Sequence, residues 1–162
     1  MYPAAGNSTL SGFVTLTVRS PTSISMNGDA ILQARLALKG ILESLRPEDR
    51  FDIVRFGSGH QTLFGALRHA VGRDLGEALA WAAGLNADLG GTEIGNALQA
   101  SYRIRSENLE IRPDVLLITD GQVNDTEPII AEARAAGHRI FTVGVGASVA
   151  EAFVRRLAGE TG

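Results

Sequence analysis

A doubly wound α/β domain is what this sequence predicts, and three observations carry the prediction. Short β-branched or apolar runs alternate with stretches of helical period along almost the whole chain. Two of the runs, Phe51 to Phe56, mostly apolar, and Asp114 to Thr119, strongly apolar, have the pattern of strands buried on both faces. Glycine, proline, serine and aspartate punctuate the junctions. Strands that alternate with helices need right-handed crossovers, so the sheet is expected to be mostly parallel, with helices on both faces.

The elements follow in order. Residues 1–12 are small and polar and read as a flexible lead-in, leaving 13–162 as a single domain. Phe13 to Val18 is rich in β-branched residues and reads as a strand that ends before Pro21. From Asp29, the positions Ile31, Ala34, Leu38, Ile41, Leu42 and Leu45 recur at helical spacing until Pro47 stops them. Phe51 to Phe56 is a buried strand closed by Gly57-Ser58-Gly59, and Gln61 to Phe64 suggests an antiparallel edge strand. Asp74 to Leu85 is a helix with Leu75, Leu79 and Ala82/Ala83 on one face, and another helix begins at Thr92. Asp114 to Thr119 is a strand, Glu127 to Ala136 a helix ended by Gly137, Arg139 to Val145 a strand, and Val149 to Ala158 a last helix.

At 162 residues the chain can bury a core without staples, and one domain is the default. A formal charge of −3 with no Lys/Arg cluster gives no electrostatic footprint for nucleic acid or an anionic membrane. The absence of cysteine excludes disulfides, thiolate metal sites and thiol nucleophiles, but leaves the compartment open. No apolar run approaches the length of a membrane span, and the first residues lack the regions of a signal peptide, so the chain as given reads as soluble.

Three separated stretches place oxygen donors where loops leave such a sheet: Ser23-Ile24-Ser25-Met26, Leu89-Gly90-Gly91-Thr92-Glu93, and Leu117-Ile118-Thr119-Asp120-Gly121. Together with L-x-P-E-D-R-F-D-I-V-R-F and I-F-T-V-G-V-G, their order resembles the von Willebrand factor type A domain across about residues 13–162. The likeness is greatest to the bacterial branch and to the branch in inter-alpha-trypsin inhibitor heavy chains. The resemblance implies a Rossmann-like sheet and a metal-ion-dependent adhesion site, to which Ser23, Ser25, Thr92 and Asp120 correspond. Pro21 stands where the family carries its first aspartate, so the site is expected to be degenerate. It also implies one more strand and a last helix after Gly162, without which Ile140 to Val145 is a bare apolar edge inviting self-association.

Hydroxyls and a carboxylate suit a hard divalent ion such as Mg²⁺ or Mn²⁺, with a vacancy for a partner's Asp or Glu. One lost carboxylate is worth on the order of 6–7 kcal/mol at about 5 Å from a dication and an effective dielectric near 20, before desolvation. If about 3 kcal/mol survives, affinity falls roughly a hundredfold, leaving a weakly held ion or none. In a metal-free site, Arg19 is a candidate to pair with Asp120.

Plainer readings stand beside these. Ser23 and Ser25 suit a serine-rich turn with Asn27 and Gly28, Thr92 suits a helix N-cap, and Glu93 a first-turn acid. Asp114, at the far end of its strand, is expected to be structural, Asp49 and Arg50 to make a turn, and Trp81 to pack. His60, His69 and His138 share no ligand spacing and read as surface or loop residues. Gly57-Ser58-Gly59 lacks the lysine of a phosphate loop, and no nucleophile stands beside a base, so neither nucleotide binding nor catalysis is expected. The function expected is protein–protein interaction through Ser23, Ser25, Thr92, Glu93 and Asp120, meeting an acidic group on a partner. The alternative is a structural module of a larger protein with a relic site.

Overall fold

The computed structural model describes residues 13–19, 29–86, 93–104, 112–119, 123, 125–145 and 151–162, with 13–19 and 29–30 described as backbone only. The elements run β1 Phe13–Arg19, α1 Asp29–Ser44, β2 Arg50–Phe56, β3 His60–Thr62, β4 Arg68–His69, α2 Gly72–Ala83, α3 Ile94–Tyr102, β5 Asp114–Thr119, α4 Thr126–Ala136, β6 Ile140–Gly144 and α5 Glu151–Thr161.

One sheet has the strand order β3-β2-β1-β5-β6, with β4 also paired to β2. The pairs β1–β2, β1–β5 and β5–β6 are parallel, as the alternation of strands and helices requires. β3 and β4 pair antiparallel with β2, so the expected edge strand is present, shorter than the Gln61 to Phe64 run suggests. Leu63 and Phe64 leave it to pack inward, and Phe64 meets Phe51 edge to face at 5.9 Å. The two-residue β4 had no apolar run to announce it.

Successive strand residues point to opposite faces, which divides the core in two. Phe51, Ile53, Leu116 and Ile118 face α1 and α2, where Ala34, Leu38, Leu42, Ala78 and Ala82 meet them. Val54, Phe56, Val115, Leu117 and Ile140 face the other way, against Ile94, Leu98, Ile130, Phe153 and Leu157 of α3, α4 and α5. Burying a side chain of this size contributes about 1.5–3 kcal/mol. The layers therefore supply the driving force for the doubly wound arrangement.

Helix ends follow their local chemistry. α1 stops at Ser44, whose hydroxyl donates to the Ile41 carbonyl at 2.7 Å, three residues before Pro47. α4 ends at Gly137, which takes φ +70°, the left-handed conformation glycine adopts without a Cβ penalty. α5, Glu151–Thr161, runs past the expected end at Ala158. Two expectations need correction. Ala83 does not join the buried face of α2 but is exposed, because Ala78 and Ala82 occupy that face. His138 is a loop residue but not a surface one: it is buried, stacked on Tyr102 at 5.1 Å, and its Nδ1–H donates to the Pro113 carbonyl at 2.8 Å.

Candidate functional site

The carboxyl ends of the central strands define the site edge. β1 ends at Arg19, in register with Phe56 of β2, and Val18 is in register with Ile118 of β5. Neighbouring strands lie about 5 Å apart, so the chain leaves Arg19, Phe56 and Thr119 from one narrow stretch of sheet edge. The N–H of Glu93 donates to the Gly57 carbonyl at 2.8 Å, which fixes the start of α3 at the end of β2. The N–H of Val145 donates to the Thr119 carbonyl at 3.0 Å and ties the end of β6 to the end of β5.

Glu93 is the one candidate site residue whose side chain is described. It occupies the N-cap position of α3, not the first turn, because the helix begins at Ile94. Its carboxylate makes no cap to the backbone and instead accepts from the Asn96 side-chain amide at 3.0 Å. It is exposed at the helix start. Ser23, Ser25, Thr92 and Asp120, with Pro21, lie outside the described residues. In sequence, Thr92 immediately precedes Glu93 and Asp120 immediately follows Thr119, the last residue of β5.

The other groups singled out in the sequence settle into structural work. Asp114 lies at the opposite end of β5, buried, and receives two hydrogen bonds from the Arg139 guanidinium at 2.9 and 2.7 Å. Asp49 closes a turn, accepting from the N–H of Arg46 at 2.7 Å. Trp81 packs on the α1–α2 core with Arg55 over its ring at 5.7 Å. Among the described residues no three of His, Asp and Glu gather as a metal site, and no helix is long and apolar enough to cross a membrane.

Asp52 was not singled out in the sequence. It is fully buried in β2, accepting from the N–H of Ile53 at 2.7 Å and of Phe64 at 3.0 Å, while its Oδ2 has no partner. Burial pushes its pKa up to about 6, held back by the backbone amides of Phe64, Ile53, Gly65 and Ala66. An acid within an apolar strand was the available signal.

Comparison with known proteins agrees with this architecture. Residues 22–162 match the family model described as von Willebrand factor type A domain. Inter-alpha-trypsin inhibitor heavy chain H4 of Bos taurus is 33% identical over 152 residues, covering 85% of this chain and 16% of the heavy chain. The chain thus spans about a sixth of that relative's length. A von Willebrand factor type A structure from Catenulispora acidiphila superposes with a TM-score of 0.79 at 21% identity, over 91% of this chain and 36% of that one. Proximal thread matrix protein 1 from the mussel byssus, solved with zinc in its metal-ion-dependent adhesion site, does so with a TM-score of 0.69 at 21% identity, over 90% of this chain and 38% of its own. At those identities the two structures speak to the fold alone. Domains of this kind are adhesion or protein-interaction modules, generally not enzymes, and often hold a divalent metal. The match over most of the chain, the heavy-chain relative and the shared sheet place this chain in the von Willebrand factor type A domain family.

Proposed function

We propose that this domain binds another protein at the carboxyl edge of its sheet, through Ser23, Ser25, Thr92, Glu93 and Asp120, and that the contact is an Asp or Glu of the partner. The reading is carried by the convergence of β1, β5 and the start of α3 on one edge, with Glu93 bonded to Gly57 at the end of β2. The donor set fits a hard cation in kind, since every candidate ligand is an oxygen. It fits poorly in charge, because Pro21 offers no side-chain carboxylate and Asp120 supplies the one carboxylate among the four candidate ligands. The ion, when bound, keeps more positive charge than a complete site would leave it, and that charge would draw a partner's carboxylate.

Calorimetric titration with Mg²⁺ and Mn²⁺ tests this. The chain is expected to bind either ion only weakly, and Pro21→Asp to tighten binding roughly a hundredfold, the equivalent of about 3 kcal/mol. A micromolar dissociation constant for the unaltered chain would contradict the weak-site reading. Thr92→Ala and Asp120→Ala should abolish capture of a partner by the parent protein, compared with and without divalent ion. Full capture by both variants, unchanged by EDTA, would instead favour a structural module with a relic site.

A further inference from the structure

The outer face of the α1–α2 pair carries a surface that the site edge does not explain. Three large apolar side chains are exposed among the described residues, and two of them, Leu32 at 51% and Leu36 at 59%, stand one helical turn apart on α1. Beside them α1 and α2 enclose an open groove of about 370 Å³, lined by Arg35, Leu36, Lys39, Leu79 and Ala83. The two charged residues of the lining are both cations, in a chain whose formal charge is −3.

Among the described residues Arg35 meets only uncharged acceptors, while Lys39 is paired on the surface of its own helix. The Arg35 guanidinium donates to the Leu85 carbonyl, from Nε at 2.8 Å and also from Nη2, and to the Asn86 side-chain oxygen at 3.1 Å. All of these acceptors are uncharged, so Arg35 is held in place with its charge intact. Lys39 has a partner in Glu43 at 3.6 Å, but both side chains are more than half exposed, and such pairs contribute little. A fixed arginine has already lost much of the rotamer freedom that binding would otherwise cost.

We propose that this groove docks an amphipathic helix of a partner protein whose apolar anchors are flanked by carboxylates. Leu32 and Leu36 match anchors spaced three or four residues apart on such a helix, Leu79 and Ala83 form the opposite wall, and Arg35 and Lys39 meet its acids. Charge complementarity selects an acidic helix over a basic one. The surface is separate from the site edge and stands whether or not that edge binds.

The test uses a fluorescein-labelled synthetic helix with Leu at i, i+4 and i+7 and Glu on both flanks, titrated with the whole chain in EDTA so that no divalent ion at the site edge contributes. Fluorescence anisotropy should show saturable binding that weakens with salt. Leu36→Asp should reduce affinity at least tenfold and Lys39→Glu several-fold, with the thermal unfolding of both variants close to the parent's because both positions are exposed. The same peptide with Lys for Glu should not bind. Equal binding of the Lys peptide, indifference to both variants, or no saturation at millimolar concentration would overturn the proposal. So would a self-association of the chain that Leu36→Asp disperses, which makes the occupant a second copy, or sedimentation with phosphatidylserine vesicles that Leu36→Asp abolishes, which makes it a membrane.

Discussion

Asp52 places a titrating carboxyl inside the sheet, and its pH dependence has a definite sign. Its pKa rises from 3.8 to about 6 on burial, so between those values the folded chain binds the proton more tightly than the unfolded one. Its contribution is most favourable below about pH 4 and is lost as pH rises through 6, by at most roughly 3 kcal/mol. Asp52→Asn keeps an oxygen to accept from Ile53 and Phe64 and removes the buried charge. Urea unfolding should find this variant more stable at pH 7.5, with the fall between pH 4 and 6 flattened; an unchanged profile would contradict this account. At the other carboxylate, Arg139→Ala leaves buried Asp114 without its two-pronged partner and removes the cation beside Phe141. A loss of about 1–3 kcal/mol is expected, discounted because Arg139 is itself part-exposed. A change below about 0.5 kcal/mol in the same assay would make the pair incidental.

Among the elements, α4 and α1 show how far local chemistry reaches. Gly137 was legible as a stop because a glycine after an alanine-rich helix suits the left-handed cap, and its φ of +70° confirms it. Gly137→Ala would meet both the backbone penalty and the Arg112 guanidinium, whose Nη1 lies 2.0 Å from where the new Cβ would sit. Arg112 can swing away at the cost of its bond to the Ala136 carbonyl. The variant should lose about 1–2 kcal/mol in thermal unfolding, while Gly40→Ala, in an open helical position, should lose nothing. In α1 the buried stripe was legible in Ile31, Ala34, Leu38, Ile41 and Leu42, with Leu45 just past its end. Leu32 and Leu36 were equally visible as letters, but helical period assigns them to the outer face without saying what that face adjoins. β4 was invisible because its pairing comes from β2, not from its own residues.

For the molecule as a whole, β6 is an edge of the sheet among the described residues, pairing with β5 and covered on one side by α5. Phe141 and Val143 are half-buried on its other side. Static light scattering of the isolated chain should show mass rising with concentration, and Val143→Lys, which puts a charge on that edge, should suppress the rise. A constant monomer mass at high concentration would exclude pairing through β6.

The order of strands and helices and the parallel sheet were legible in the sequence alone, because period and turn residues are local properties. Tertiary structure decided what meets across the fold: Asp52 with the amide of Phe64 twelve residues on, Asp114 with Arg139 twenty-five residues on, Arg35 with the Leu85 carbonyl fifty residues on. A residue's period assigns its face of an element. Its partner is set by how the layers pack.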